Sequence, residues 1–171
     1  MTALVFVDSN VLLYAVDSRD PGKQARAAQW MERLWRTQAG RTSTQVLSEF
    51  FVNATRRLEP GLTDDEAWQQ VSALRAWDPQ PVDLATLEFG REIMTRYRLS
   101  WWDSLIVAAA QLQGCSTLLT EDLHAGANYA GVAVQSPFSG GIQEQHAPYA
   151  LSAQPPAVRR RGRPRKPSSA A

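Results

Sequence analysis

The chain has 171 residues, of which 44% are hydrophobic and 20% charged, so it is long enough for one domain with a sizeable core. No stretch approaches the roughly 20 apolar residues of a membrane span, and no basic segment with a long apolar run opens the sequence, which predicts a cytoplasmic protein without a membrane partner. The single cysteine, Cys115, excludes an internal disulfide and a thiolate metal cluster, and we expect a small core residue in a reducing compartment.

The charges are unevenly distributed along the chain. The net charge of +1 combines 18 basic with 17 acidic residues, but residues 1–158 contain 12 of the basic residues and all of the acids, a balance of −5. The other six basic residues lie in one acid-free segment: Arg159, Arg160, Arg161, Arg163, Arg165 and Lys166. The acidic body and the basic tail therefore need separate explanations.

The first predicted element is a short strand, Val5–Val7, whose continuous apolar run is typical of a central parallel strand that is buried on both faces. Asp8 then falls at the carboxyl end of this strand. Ligands of open α/β sheets bind just beyond the carboxyl ends of the strands, so Asp8 is a candidate site residue. The alternative is that Asp8 only caps a helix that begins at Val11.

Helices and short strands alternate through the middle of the chain. Asp20 and Pro21 start an amphipathic helix that ends near Gly40. The elements that follow are a short strand around residues 41–43, a helix capped by Thr44 that ends before Pro60, a capping-box helix from Thr63 to about Ala76, a brief strand at Val82 and a helix capped by Asp83.

Two further acids lie on helices. Glu49 stands beside Phe50 at the edge of the apolar stripe of its helix, where a solvated surface position is the ordinary interpretation. Asp103 lies in the first turn of a helix opened by Ser100 and closed by Gly114, where it could serve only as a partner of the helix cap.

The last two strands complete a sheet. Thr117–Leu119 is apolar and ends in acid at Glu121 and Asp122, Val132–Val134 is the final strand, and Phe138 closes the domain. This alternation predicts an α/β fold with a short parallel sheet, right-handed crossovers and helices on both faces. The carboxyl ends of the strands then share one rim, and Asp8, Glu49, Asp103 and Asp122 can converge there on one cleft.

A cluster of four carboxylates needs a cation. None of these acids has a Lys or Arg within two residues, and like charges held together are costly unless they are neutralised. Hard oxygen ligands without Cys or a set of His residues favour Mg²⁺ or Mn²⁺. Such a site suits phosphodiester cleavage by a metal-activated water.

Four motifs carry a resemblance to a known family. They are Val7-Asp8-Ser9-Asn10, Ser48-Glu49-Phe50, Trp102-Asp103-Ser104 followed by Leu-Ile-Val-Ala-Ala-Ala, and Leu119-Thr120-Glu121-Asp122-Leu123. In this order and at these separations they resemble the PIN domain, specifically the VapC-type toxin ribonucleases of bacterial toxin–antitoxin pairs. The resemblance covers about residues 3–138.

The resemblance implies a three-layer PIN-like fold over residues 1–138 and a Mg²⁺-dependent endoribonuclease that is silenced by a cognate antitoxin. Its catalytic and metal-binding acids match Asp8, Glu49, Asp103 and Asp122. Supporting roles fall to Ser9, Asn10 and Thr120, with Ser9 standing where these proteins often have Thr. The substitution keeps the hydroxyl group.

Two other functions fit parts of the sequence. A nucleic-acid-binding protein with a vestigial acidic cleft would act through the basic tail alone. An aspartate-nucleophile phosphatase of the haloacid dehalogenase kind would use Asp8 but needs a second Asp two residues later, where Asn10 stands. Beside the cleft, His124 is expected to be a surface residue, and one of Trp101 and Trp102 could stack a base of single-stranded RNA.

The sequence also predicts protein partners. The helix with Trp30, Leu34 and Trp35 and the helix with Trp68 and Leu74 supply more large apolar surface than a domain of this size easily buries. We therefore expect a homodimer and a groove for the antitoxin, as the resemblance also implies.

The C-terminal part differs in composition from the domain. Residues 139–158 are rich in Gly, Gln, Ala, Pro and Ser and predict a flexible linker, and residues 159–171 predict a disordered basic tail. Within the tail, Arg161-Gly162-Arg163-Pro164 resembles the core of an AT-hook, which binds A·T-rich DNA in the minor groove. The alternative is a basic segment that binds any polyanion.

Overall fold

The computed structural model describes residues 3–139, which form a five-stranded sheet with helices packed on it. The strands are β1 Val5–Val7, β2 Gly40–Arg41, β3 Thr117–Leu119, β4 Asn128–Tyr129 and β5 Val132–Gln135, in the spatial order β2-β1-β3-β5-β4. All neighbouring pairs are parallel except β4 with β5. The prediction of an α/β fold with a largely parallel sheet is confirmed.

Six α-helices lie between β1 and β3 in the part of the chain that the structure describes. They are α1 Ser9–Val16, α2 Pro21–Thr37, α3 Thr44–Arg56, α4 Asp64–Ala73, α5 Leu84–Tyr97 and α6 Trp101–Leu112, with a 3₁₀ turn at Leu74–Trp77 after α4. Predicted caps begin four of them: Asp20, Thr63, Asp83 and Ser100 each accept a hydrogen bond from a backbone N–H of the first turn. Thr63 and Glu66 form the full capping box.

The strand order places helices on both faces of the sheet. From β1 the chain moves outward to β2 on one side, and after α3–α6 it returns to β3 on the other side of β1. Right-handed crossovers in opposite directions put their helices on opposite faces. The carboxyl ends of β1 and β3 thus flank the point where the strand order reverses, which is where ligands of such sheets bind.

The core lies between the central strands and these helices. Phe6, Val7, Leu118 and Leu119 of β1 and β3 are fully buried, as their apolar sequence predicts. Helix α6 is buried from Ser104 to Ala110, so it supports the sheet directly. Cys115 is also buried, which confirms its role as a core residue, and burial raises the pKa of its thiol to about 12.

Several predicted boundaries were wrong. Helix α1 begins at Ser9 rather than Val11, and Ser43 rather than Thr44 caps α3. Val82 is not in a strand. Instead, Gln80 forms an isolated bridge with Ser43: the Gln80 N–H donates to the Thr42 carbonyl, and the Gln80 carbonyl accepts from the Thr44 N–H. The prolines on both sides of Gln80 have no N–H to donate, so the pairing does not extend into a ladder.

Part of the apolar surface predicted for partners is buried within the domain. Leu34 and Leu74 belong to the core, and Trp35 packs on Trp77 with ring centroids 5.1 Å apart. Trp68 is 61% exposed, and Trp35 is still 39% exposed despite this contact. The surface available for a second protein is therefore smaller than the sequence suggests.

The linker predicted for residues 139–158 lies outside the described residues apart from Ser139, as does the whole AT-hook-like tail, including Arg161, Gly162, Arg163 and Pro164. Within residues 3–139, no helix is both long and apolar enough to cross a bilayer.

Candidate active site

The reversal point of the sheet holds Asp8 in a fixed geometry. Its Oδ1 accepts a hydrogen bond from the Ser9 N–H at 2.7 Å, so Asp8 does cap α1. Its Oδ2 accepts from the Thr120 hydroxyl at 2.7 Å and faces Asn10 Nδ2 at 3.3 Å. The cap and the site residue predicted for Asp8 are therefore compatible, because each uses a different carboxylate oxygen.

Asn10 connects the two strand ends. Its Nδ2 lies 3.0 Å from Thr120 Oγ1 and 3.0 Å from Asp122 Oδ2. The Asp122 N–H in turn donates to Thr120 Oγ1 at 3.1 Å. The Asn10 amide and the Thr120 hydroxyl thus hold the carboxylates of Asp8 and Asp122 close to each other. Asn10 Oδ1 is buried without a hydrogen-bond partner among the described residues.

Glu49 reaches the same place from α3. Its Oε2 accepts from the Ser9 hydroxyl at 3.0 Å, and its Oε1 accepts from Gln45 Nε2 at 3.0 Å. Gln45 Nε2 also lies 3.3 Å from the backbone carbonyl of Trp102, at the start of α6. Sequence reasoning missed Gln45, although its spacing of four residues before Glu49 places both side chains on one helix face.

Asp103 stands at the edge of this network. The Ser100 hydroxyl donates to Asp103 Oδ2 at 2.6 Å, and the backbone N–H of Asp103 donates to Ser100 Oγ at 3.1 Å. Asp103 is therefore a partner of the helix cap, as the sequence allowed. It shares no hydrogen bond with the other three acids. Its charge nevertheless acts on Glu49 and Asp122 and raises the pKa of both.

Burial and repulsion between like charges raise the pKa values of three of these carboxylates, those of Asp8, Glu49 and Asp122. Burial, followed by the charges of Asp122 and Glu49, raises the pKa of Asp8 from 3.8 to about 7. Burial raises the pKa of Glu49 most, and the charges of Asp122 and Asp103 add to it. Asp122 is exposed as a residue, but its carboxylate turns inward toward Asn10, and this partial burial is the main reason that its pKa is raised.

The donor set has the chemistry of a site for a hard divalent cation. Mg²⁺ and Mn²⁺ prefer carboxylate, hydroxyl and amide oxygens as ligands. A cation would stabilise the charged carboxylates, which burial and then repulsion disfavour. Within residues 3–139, however, no three acidic, His or Cys side chains stand close enough together to form a ready-made metal site. The assignment of all four acids as metal ligands stays a prediction.

A partly buried ion pair flanks the site. Lys23 Nζ of α2 lies 2.7 Å from Glu121 Oε1 and 3.2 Å from the Tyr14 hydroxyl, and it faces the ring of Phe138. The pair ties the turn that carries Asp122 to α1 and α2. Sequence reasoning missed it because the partners are 98 residues apart.

The remaining candidates lie at the rim. Trp102 is 48% exposed beside Asp103, whereas Trp101 is half-buried. His124 is exposed and is not part of the hydrogen-bond network described above. The exposed indole of Trp102 is thus the aromatic group that a nucleotide at the cleft could meet.

Residues 5–128 match the PIN domain. The chain belongs to the PIN domain family. Membership confirms the fold and the resemblance inferred from the four motifs, and it sets aside the phosphatase of the haloacid dehalogenase kind. No curated protein matches the chain.

Solved PIN domain structures show the same fold. A toxin–antitoxin complex from Klebsiella pneumoniae has a TM-score of 0.58 at 20% identity, covering 78% of this chain and 98% of that chain. A DNA-bound VapBC from Salmonella typhimurium has a TM-score of 0.56 at 15% identity, covering 80% of this chain and 99% of that chain. VapBC2 from Rickettsia felis, bound to a DNA fragment from its promoter, has a TM-score of 0.54 at 13% identity, covering 78% of this chain and 98% of that chain.

Proposed function

We propose that this PIN domain protein is a metal-dependent endoribonuclease toxin that a cognate antitoxin inhibits. The observation that carries the proposal is the hydrogen-bonded set of Asp8, Glu49 and Asp122 at the reversal point of the sheet. Groups with strongly shifted pKa values cluster at functional sites, and the pKa values of these three carboxylates are all raised. Membership of the PIN domain family favours nuclease chemistry at such a site.

The residues of the site divide into two groups by what they do. Asp8, Glu49, Asp103 and Asp122 would hold Mg²⁺ or Mn²⁺, which when bound supplies positive charge for the phosphate and lowers the pKa of a water. Ser9, Asn10 and Thr120 orient three of these carboxylates through the hydrogen bonds described above. Such orienting groups fix the rotamers on which the affinity of a metal site depends.

The proposed partners follow from the fold and its relatives. Two of the similar structures hold DNA, and all three are toxin–antitoxin or VapBC assemblies. We propose that a cognate antitoxin binds this chain as well, that two copies of the chain form a homodimer, and that RNA is the substrate in the cytoplasm. Val52 and Trp68, on the neighbouring helices α3 and α4, are exposed apolar side chains that such a contact would cover.

The test is cleavage of RNA by the purified protein. Incubation with total RNA and Mg²⁺ should give defined cut ends, and a chelator should abolish them and added Mg²⁺ restore them. Mg²⁺ should also raise the melting temperature, because a ligand that binds only the folded state stabilises it by mass action. RNA that stays intact in Mg²⁺ and in Mn²⁺ would favour the rival function, a nucleic-acid-binding protein without catalysis.

We further propose that the tail, residues 159–171, anchors the protein to nucleic acid without a part in cleavage. Truncation after Val158 should leave cleavage of a short RNA within a few-fold of the parent. It should also weaken DNA binding and flatten its dependence on salt, because six positive charges are lost. An A·T-rich duplex that competes better than a G·C-rich one only when the tail is present would identify an AT-hook, and equal competition would identify a general polycation.

A further inference from the structure

We propose that the face of α2 beside Phe138 is a subsite for RNA nucleotides next to the one that is cleaved. The inference rests on the proposed ribonuclease function and deepens it, because it assigns a binding role to a surface outside the acidic cleft. Its residues are Arg26, Gln29, Trp30 and Arg33, which we call the α2 subsite.

The four residues of the α2 subsite line a cavity of about 340 Å³ between α2 and the end of the domain. Pro137 and Ser139 form its other wall, and no acidic side chain lines it. The Arg33 guanidinium lies 5.5 Å from the centroid of the Trp30 ring. A guanidinium over an indole offers both a cation and a flat surface on which a base can stack.

The charge of α2 is opposite to that of the body around it. The helix carries four basic residues, Lys23, Arg26, Arg33 and Arg36, and a single acid, Glu32, whereas residues 1–158 as a whole have a balance of −5. RNA phosphates are repelled by the acidic cleft until it is neutralised, so binding needs positive charge close by. In this acidic body, α2 supplies that charge.

Lys23, on the same helix, places the α2 subsite near the turn that carries Asp122. Lys23 lies one helical turn before Arg26, and its Nζ is 2.7 Å from Glu121, the residue before Asp122. Arg33 is ten residues further along α2, about 15 Å along the helix axis from Lys23. A strand held at the acids can therefore pass Lys23 and reach the cavity within a few nucleotides.

The available donors fit a single strand. Arg26 donates one N–H to the Phe138 carbonyl, at 2.8 Å. The guanidinium has five N–H groups, so within the part of the chain that the structure describes it keeps donors for a phosphate. Arg33 and Gln29 are exposed, and Trp30 is half-buried, so its ring is both anchored and accessible. Guanidinium groups bind phosphate in a forked geometry, and aromatic rings stack unpaired bases, which favours single-stranded RNA.

The test compares Arg26→Gln/Arg33→Gln with the control Arg36→Gln. Arg36 lies on the same helix but does not line the cavity, and it faces Glu32 at 3.9 Å. In the parent, an RNA that extends several nucleotides beyond the cut should have a lower KM than one that ends near it. The double variant should lose this advantage of length, with a KM about tenfold higher on the longer RNA, and the control should keep it.

Binding gives a second readout that does not depend on cleavage. In an Asp103→Asn background, the fluorescence anisotropy of a labelled RNA should show weaker binding for the double variant and a salt slope smaller by about one or two. The tail is the same in all variants, so it cannot produce the difference. The α2 subsite would be wrong if the longer RNA had the same KM advantage in the parent and the double variant, or if Arg36→Gln lost that advantage to the same extent. A parent that cleaves no RNA would overturn the proposed function instead.

Discussion

Replacing Asp8 with Asn is expected to reduce RNA cleavage by at least about a hundredfold while it makes the metal-free protein more stable. Asp8 is the most buried of the candidate acids and the one that α1 and the residues after β3 both contact. The neutral amide keeps the shape of the side chain but removes one charge from a repulsive cluster. The loss of activity and the gain of stability should therefore appear together.

The effect on stability depends on pH in a defined direction. In the folded protein the pKa of Asp8 is raised from 3.8 to about 7, so between these values the folded state holds a proton that the unfolded state has lost. Stability is then greatest at the acidic end and falls as the pH rises toward 7 and the buried carboxylate ionises. Each unit of pKa shift corresponds to about 1.4 kcal/mol, so the melting temperature of the parent in a chelator should fall by several degrees.

The Asn variant should show a flatter pH dependence and a much smaller rise in melting temperature when Mg²⁺ is added. Glu88→Gln, at an exposed position of α5, is the matched control and should behave like the parent. Parent-like cleavage by Asp8→Asn would contradict the catalytic assignment. A pH dependence as steep as that of the parent would contradict the burial of this charge.

Replacing Gly40 with Ala is expected to lower the melting temperature by roughly 10 °C, because it forces a methyl group into a closed part of the core. A Cβ at Gly40 would lie 2.5 Å from ring carbons of Trp77. Trp77 is 2% exposed and Trp35 packs against it, so the ring has little room to move. The free energy of unfolding should fall by about 2 to 3 kcal/mol. The substitution would also loosen the pairing of β2 with β1, the strand that Asp8 follows.

Gly90→Ala is the control for this prediction. A Cβ there would lie 2.6 Å from a terminal methyl of Leu105, which can turn away more easily than an indole ring. Ala also favours a helix interior over Gly, and Gly90 lies within α5. Thermal unfolding should thus show a smaller loss for Gly90→Ala than for Gly40→Ala, and equal losses would mean that the ring of Trp77 does adapt.

The sequence could predict the positions of the strand-end acids because they follow from one rule. Asp8 comes directly after the apolar run of β1, and Asp122 lies in the turn that follows β3. Parallel strands bring their carboxyl ends to one rim. Helix caps such as Thr63 and Ser100 were also predictable, since their hydrogen bonds are local. In each case the determining contacts lie within a few residues.

The sequence could not predict contacts that depend on which helices meet. Gln45 is a neutral residue on a helix face, and its bond to the carbonyl of Trp102 exists because α3 and α6 converge at the site. The pair of Lys23 and Glu121 and the short strand β4 likewise depend on tertiary packing. Neither composition nor periodicity distinguishes such residues from ordinary surface positions.

The strand order also determines when during synthesis the site can exist. Strand β1 has β2 as one neighbour, which comes before α3 in the chain, and β3 as the other, which comes after α6. Asp8 accepts a hydrogen bond from Thr120, which is 112 residues later in the chain. Contacts of such large sequence separation form late, because a long loop must close first. During synthesis Asp8 and Glu49 therefore precede Thr120 and Asp122, and the hydrogen-bonded acidic cluster can be complete only after β3 and the turn that follows it have emerged.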